Sequence, residues 1–378
     1  MERDQATTFI TDLLKLMVGR NGSDLFLTAD LPPAIKIDGK VTKVSPQALN
    51  GTHTIALARS IMSDRQVAEF ERTKECNFAI APPGLGRFRV NAFMQQSKVG
   101  MVLRTIPSTL PTIDSLKLPP ILKDIVNNKR GLCIMVGSTG SGKSTTLAAM
   151  VDHRNETTYG HIITVEDPIE FVHMHKNCVV TQREVGIDTD SWGAALKNTL
   201  RQAPDVILMG EIRDRETMEL AIAFAETGHL CLATLHANST NQAIDRIINF
   251  FPEERKAQVL MDLSLNIKAL VSQRLITKPD GKGRTAVIEI MINSPLISDL
   301  IFKGDVAEIK EIMKKSGNLG MQTFDQALFN AYEEDAITYE DALRNADSVN
   351  DLRLQIKLNS KRSKNTNLAA GTENLTII

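Results

Sequence analysis

The sequence predicts an α/β fold in which a parallel sheet covered by helices follows a smaller α+β domain. Three observations point there. From about residue 121 onward, strand-like apolar runs alternate with helical periodicities, the pattern of a sheet whose crossovers are helices. One of those runs, 132–136, breaks at Gly137 into a loop too glycine-rich for helix or strand. The stretch TIPSTLPTIDSLKLPP, with Pro107, Pro111, Pro119 and Pro120, is composed like an interdomain linker.

The glycine loop has a chemistry that follows from its spacing. Gly137, Gly142, Lys143 and Ser144 complete G-x-x-x-x-G-K-[ST], and the full loop reads Gly137, Ser138, Thr139, Gly140, Ser141, Gly142, Lys143, Ser144, Thr145. Glycines let successive backbone N–H groups converge on the α- and β-phosphates of a nucleotide. Lys143 then reaches the β- and γ-phosphates, and Ser144 offers its hydroxyl to Mg²⁺. A helix beginning near Lys143 points its positive end at the same anion.

Composition bounds what else the chain can be. Its 378 residues allow two domains, and 42% hydrophobic with 24% charged residues is ordinary for a globular protein. A formal charge of −1 and a pI near 6.7 argue against a nucleic-acid binder. No run of 18 apolar residues occurs and the amino terminus, MERDQATTF, begins charged, so neither membrane insertion nor a signal peptide is expected. Cytoplasmic location follows as the expectation. Cys76, Cys133, Cys178 and Cys231 lack C-x-x-C spacing and read as buried free thiols. His173, His175 and Cys178 are the only dense ligand-like cluster, and they read as ordinary loop and strand-edge residues rather than a metal site.

Before the linker, helical spacing at 8–19 leads to strands at 25–27 and 34–37, the second turning through Asp38-Gly39 into 40–44. A helix over 55–71 should break near Ser63-Asp64, where a new N-cap can start. Strands at 87–94 and 99–105 complete the domain. In the first of these Phe88, Val90 and Ala92 share one face, leaving Arg87, Arg89 and Asn91 on the other, and Arg104 lies opposite Val99, Met101 and Leu103. On this pattern alone the arginines belong to a solvated face.

After the linker come a helix at 121–127, the phosphate-loop strand, strands at 162–165 and 178–182, and a helix at 192–202. Then follow a strand at 206–209, a helix at 217–226 and a strand at 230–235. A ligand belongs at the carboxyl ends of such strands. Three motifs fall near them: EDPIEF with Glu166, Asp167 and Glu170; GEIRD with Gly210 giving room to Glu211; and TGHLCLATLHAN with His229 before its strand and His236 after it. Carboxylates so placed can hold Mg²⁺ through water or orient an attacking water, and a histidine can stabilise the γ-phosphate. The remaining third reads mainly as helices, including a long amphipathic one at 253–275, interrupted by a strand at 286–292. Thr323-x-x-Gln326 and Thr338-x-x-Asp341 mark two further helix starts.

GSDLFLTADLPPAIKIDG at Gly22, GRFRVNAF at Gly86, GSTGSGKST, ITVEDPIEF, LKNTLRQAPDVILMGEIRD at Leu196 and ETGHLCLATLHANS at Glu226 together resemble the PilT/type II secretion ATPases. LRQAPD followed by GEIRD is the specific part. The similarity runs to about Leu358 and is strongest to the accessory retraction ATPases of bacterial type IV pili. It implies a homo-hexamer of two-domain subunits, PAS-like then RecA-like, binding ATP and Mg²⁺ at subunit boundaries. The expected division is 1–106, a linker 107–120, an ATPase domain 121–358 and a disordered tail 359–378.

The resemblance also implies residue roles. Lys143 and Ser144 would bind phosphate and Mg²⁺; Glu170 would belong to an acidic box, and Glu211 would be the catalytic glutamate of an atypical Walker B. His229 and His236 would form a histidine pair, and Arg89 and Arg104 would reach the nucleotide, against the solvated-face reading. Gly210-Glu211 replaces the usual Walker B aspartate, so Mg²⁺ contact would run through water. PilT proteins carry A-I-R-x-L-I-R where this chain has Leu296-Ile-Ser-Asp-Leu-Ile-Phe302, without either arginine. The implied partners are a PilT-type ATPase and an inner-membrane platform protein, with the chain peripheral at the inner membrane. Its implied work is ATP-driven pilus retraction in twitching motility, or an ATP-binding scaffold for that machine.

Overall fold

The computed structural model describes residues 2–107 and 109–362. The chain forms two compact units, residues up to Leu110 with Pro168–His173, and Pro111–Asp167 with the remainder from Met174.

The first unit contains α1 (Arg3–Gly19), β1 (Asp24–Thr28), β2 (Ala34–Ile37), β3 (Lys40–Lys43), α2 (Gly51–Ile61) and α3 (Asp64–Thr73). It continues through β4 (Glu75–Ile80), β5 (Arg87–Gln95) and β6 (Lys98–Ile106). The strands make an antiparallel sheet in the order β3-β2-β1-β6-β5-β4. Asp38 and Gly39, both at positive φ, turn β2 into β3 as the Asp-Gly pair predicts. Ser63 caps α3 by accepting from Gln66 N while Gln66 answers Ser63 N, so the helices separate where expected. Alternation on β5 buries Phe88, Val90 and Ala92 and leaves Arg87, Arg89 and Asn91 half-exposed. The buried set packs with Ile10, Leu14 and Met17 of α1 and Leu57 of α2. Strand β4 has no counterpart among the expected elements.

The second unit contains α4 (Ile121–Val126), β7 (Gly131–Val136), α5 (Lys143–Thr157), β8 (Gly160–Glu166), β9 (Cys178–Glu184), α6 (Trp192–Thr199), β10 (Val206–Met209), α7 (Arg215–Glu226) and β11 (Leu230–Leu235). Then come α8 (Thr240–Asn249), α9 (Glu253–Asn266), β12 (Ile267–Thr277), β13 (Arg284–Ile292), α10 (Pro295–Lys303), α11 (Ile309–Lys315), α12 (Phe324–Glu333), α13 (Tyr339–Asn345) and α14 (Val349–Asn359). The sheet order is β13-β12-β7-β11-β10-β8-β9, parallel except for the antiparallel edge strand β13. Strand β7 is buried along its length. Its Leu132, Ile134 and Val136 join a core with residues of α6 to α11. Cys133 and Met135 face the opposite core, under α4 and α5.

The long helix expected at 253–275 is corrected. Helix α9 stops at Asn266, and IKALVSQRLIT is strand β12, paired with β7 on one side and β13 on the other. A strand buried on both faces has no clean alternation, so Leu263, Ile267, Leu270 and Val271 also fit helical spacing. Helix α8 likewise went unanticipated. The capping box at Thr323 and the cap at Thr338 are present. Residues 359–362, expected to belong to the tail, are packed: α14 reaches Asn359, Lys361 N donates to Glu333 Oε2 at 3.0 Å and Arg362 donates to the Tyr332 carbonyl at 2.8 Å. Of the tail expected to be disordered, 363–378 lies outside the described residues.

Leu270 is fully buried between β7 and β13. Leu270→Ala is expected to cost about 2–5 kcal/mol, measured as a lowered denaturant midpoint of the full chain.

Candidate nucleotide site

The phosphate loop leaves the buried strand β7 at Gly137 and ends where α5 starts. Gly137 has φ +156° and Gly142 has φ +88°, backbone that favours glycine. A Cβ at Gly137 would lie 2.4 Å from Ser141 Oγ, and one at Gly142 would lie 2.7 Å from Gln273 Nε2. Lys143 is buried, and its ammonium donates to the carbonyls of Gly137 at 2.7 Å and Ser138 at 2.9 Å. Burial holds its pKa below the ordinary lysine value, opposed by the charge of Glu211. A phosphate anion is a stronger partner for that ammonium than two neutral carbonyls. Ser141 Oγ is buried with no hydrogen-bond partner. Ser138, Thr139, Gly140 and Ser144 are exposed, and Thr145 is half-buried. A positive-φ cradle that excludes Cβ atoms, a buried ammonium and the amino end of a fifteen-residue helix fit a polyphosphate.

Glu211 follows β10, which β11 separates from β7. Its Oε1 lies 3.0 Å from His236 Nε2, which follows β11, and its Oε2 accepts from Arg213 Nε at 2.8 Å. Arg213 also pairs with Asp167 at 3.3 Å and lies 5.8 Å over the Trp192 ring. Its pKa is raised, first by the hydrogen bond to Glu211. The carboxylate is thus gripped through both oxygens. Gly210 gives room as expected, since a Cβ there would meet Trp192 at 3.1 Å and the Glu166 backbone at 3.2 Å. Glu166 itself accepts from Thr164 Oγ1 at 2.6 Å.

His229 stands apart from His236 within the chain, as its place in the sequence implies. It sits before β11, while His236 sits after it, and the six-residue strand between them spans about 20 Å at ~3.3 Å per residue. Its carbonyl accepts from Gly131 N, at the start of β7, and Thr227 Oγ1 lies 3.1 Å from its Nδ1. Within its own chain His229 therefore belongs to the opposite sheet edge and the end of α7. Glu170 lies in the 168–173 segment that groups with the first unit, and it is exposed. Arg89 and Arg104 are cross-strand neighbours in that unit. Arg104 is not simply solvated: its Nε donates to the buried Asp24 carboxylate at 2.7 Å. Burial pushes the Asp24 pKa up, but hydrogen bonds from Arg104 and Ser23 with the charges of Arg104 and Lys36 leave it below the usual value.

His175 Nδ1 accepts from Val180 N at 3.0 Å, and Cys178 Sγ donates to the Thr158 carbonyl at 3.4 Å. All four cysteines are free and buried. Among the described residues, no group of three or more His, Cys, Asp or Glu side chains could hold a metal ion.

Three residues near the loop escaped the sequence reading. Arg213 stood in the quoted GEIRD but was given no part. Gln273 and Arg274 lay in the span read as helix, whose register hid them. Arg274 donates to Asn345 O at 2.5 Å and Asn238 O at 3.1 Å, pairs with Asp347 at 3.1 Å and stacks 3.8 Å over Phe324. With Gly137–Ser141, Asn238 and Gln273 it lines the cavity beside the phosphate loop.

A glycine-rich loop at the end of a central parallel strand, with a clamped carboxylate two strands over, defines a P-loop ATPase domain. The chain belongs to the type II/IV secretion system protein family, matched over residues 35–344. It is 58% identical to the type IV pilus ATPase PilU of Pseudomonas aeruginosa, across 97% of this chain and 95% of that one. Identity is 46% to the type IV pilus retraction ATPase PilT of the same organism, across 89% and 98%. Among solved structures, the pilus retraction motor PilT with bound ADP superposes with a TM-score of 0.85 at 39% identity, covering 91% of this chain and 98% of that one.

Asp24 bears on stability with a definite sign. A carboxyl whose folded pKa is depressed stabilises above its unfolded value, near 3.8, and that contribution is lost as pH falls through the folded value. Arg104→Met leaves Asp24 buried without its main partner, so acid unfolding of the first unit, followed by amide hydrogen exchange in β1 and β6, is expected to begin at higher pH than in the unsubstituted chain.

Proposed function

We propose that the chain is an ATP-hydrolysing subunit of the type IV pilus retraction machine, acting with a PilT-type ATPase. The observation that carries the chemistry is the Glu211 carboxylate, held by His236 and Arg213 at the strand-end edge where the phosphate loop begins. Backbone N–H groups of Gly137–Thr145 and the Lys143 ammonium bind the phosphates. Glu211 orients and deprotonates the attacking water, and its two partners keep the carboxylate from rotating away. His236 stands beside it to stabilise charge on the γ-phosphate. Ser144 and, through water, Glu211 would hold Mg²⁺, which would supply charge neutralisation for the phosphates.

Support for the retraction role comes from the likeness to PilU and PilT over nearly the full length of each chain. Helix α10 carries Leu296–Phe302 in place of the arginine-bearing PilT motif, which favours work alongside a PilT-type ATPase over independent work. The same reading assigns Glu170, Arg89 and Arg104 to the nucleotide's surroundings in a homo-hexamer, with the arginines spreading γ-phosphate charge. No helix among the described residues is long and apolar enough to cross a membrane. The proposed station is the cytoplasmic side of the inner membrane, against the pilus platform protein.

Glu211→Gln is expected to bind ATP with affinity near that of the unsubstituted chain and to hydrolyse it at least ~100-fold more slowly, read by nucleotide binding and phosphate release. Unchanged turnover would remove Glu211 from the chemistry. In cells lacking the chain, normal or excess surface pili with impaired twitching are expected, whereas loss of pili would make it an assembly ATPase. Retraction that survives Lys143→Ala but weakens on deletion would favour a scaffold.

A further inference from the structure

The floor of the phosphate loop is Gln273, on β12. Its side chain is 2% exposed. The amide Nε2 donates to Ser141 O inside the loop at 2.9 Å, and the amide oxygen accepts from Thr146 Oγ1 on the first turn of α5 at 2.7 Å. Its backbone and side chain also occupy the space that makes two loop positions glycine. A Cβ at Gly137 would lie 2.7 Å from the Gln273 carbonyl, and one at Gly142 would lie 2.7 Å from its Nε2.

We propose that Gln273 is a positioning residue for the phosphate loop, one amide that ties the loop's middle and the following helix turn to a buried strand so that their N–H groups stay aimed at the phosphates. This rests on the loop binding ATP. Residues with so many glycines lose much conformational freedom when they order. An anchor already present before the nucleotide arrives lowers that cost at the binding step. Both hydrogen bonds are sheltered from solvent, so water cannot take the place of either without opening the site. The anchor serves bound substrate and transition state alike. Removing it should therefore raise Kd and KM together and leave kcat nearly unchanged.

The test uses the full chain, a fluorescent ADP analogue, steady-state ATP hydrolysis and the melting temperature without nucleotide. Gln273→Leu keeps the bulk and loses both bonds, and it is expected to weaken analogue binding about tenfold, raise KM alike and hold kcat within about threefold. A purely structural Gln273 would lower the melting temperature and leave Kd and KM within about twofold of the unsubstituted chain, which would overturn the proposal. Should Gln273→Leu not fold, Thr146 decides. Thr146→Val, without the hydroxyl, should weaken binding at least about threefold while Thr146→Ser, which keeps it, should not; equal affinities would overturn the proposal. Failure of the unsubstituted chain to bind the analogue would instead defeat the ATPase reading, and the inference with it.

Discussion

Burial of β7 on both faces is the constraint on which the nucleotide site depends. A strand flanked by β11 and β12 and covered by two separate cores cannot slide or rotate, because a one-residue slip would exchange the side chains of the two cores. The glycine loop has little structure of its own to offer. Its place is inherited from the end of this strand and from β12 alongside, which supplies both a wall and hydrogen-bond partners. Flexible backbone can serve as a phosphate cradle because the elements under it are rigid.

The same logic governs the carboxylate. Glu211 leaves its strand through Gly210, a position closed to a side chain by Trp192 and the neighbouring backbone. Arg213 and His236 then hold its oxygens from the same segment and from the next strand. An acid fixed from two directions costs little to reorganise when charge moves near it. On the other side of β7, Arg274 connects the phosphate-loop cavity to Asn345 and Asp347, next to the ends of α13 and α14. Asp347 is also paired with Lys310 of α11. A chain of charged contacts thus runs from the cavity wall into the carboxy-terminal helices.

In the first unit, a buried acid gives an arginine a definite orientation. Asp24 and Arg104 face each other across β1 and β6, and the ion pair decides what alternation alone could not. The alternating pattern says that Arg104 leaves the apolar face. It does not say that the guanidinium will be tied down once there.

Much of this protein was legible in its sequence, and the reasons differ from element to element. Phosphate-loop spacing, the Asp-Gly turn, the caps at Ser63, Thr323 and Thr338, and the alternation in β5 are local: each is set by backbone geometry within a few residues. Sequence by itself therefore determined the place of the glycine loop, most element types and the family. What only the tertiary structure decided were contacts between distant segments. Whether 267–277 is helix or strand depended on β7 and β13 being there to pair with it. That pairing placed Gln273 under the loop and Arg274 in its wall. His229 and His236 flank β11 in the sequence, but only packing sets Thr227 beside the first and Glu211 beside the second. Periodicity reports which way a side chain points from its own element, and only packing determines what it meets.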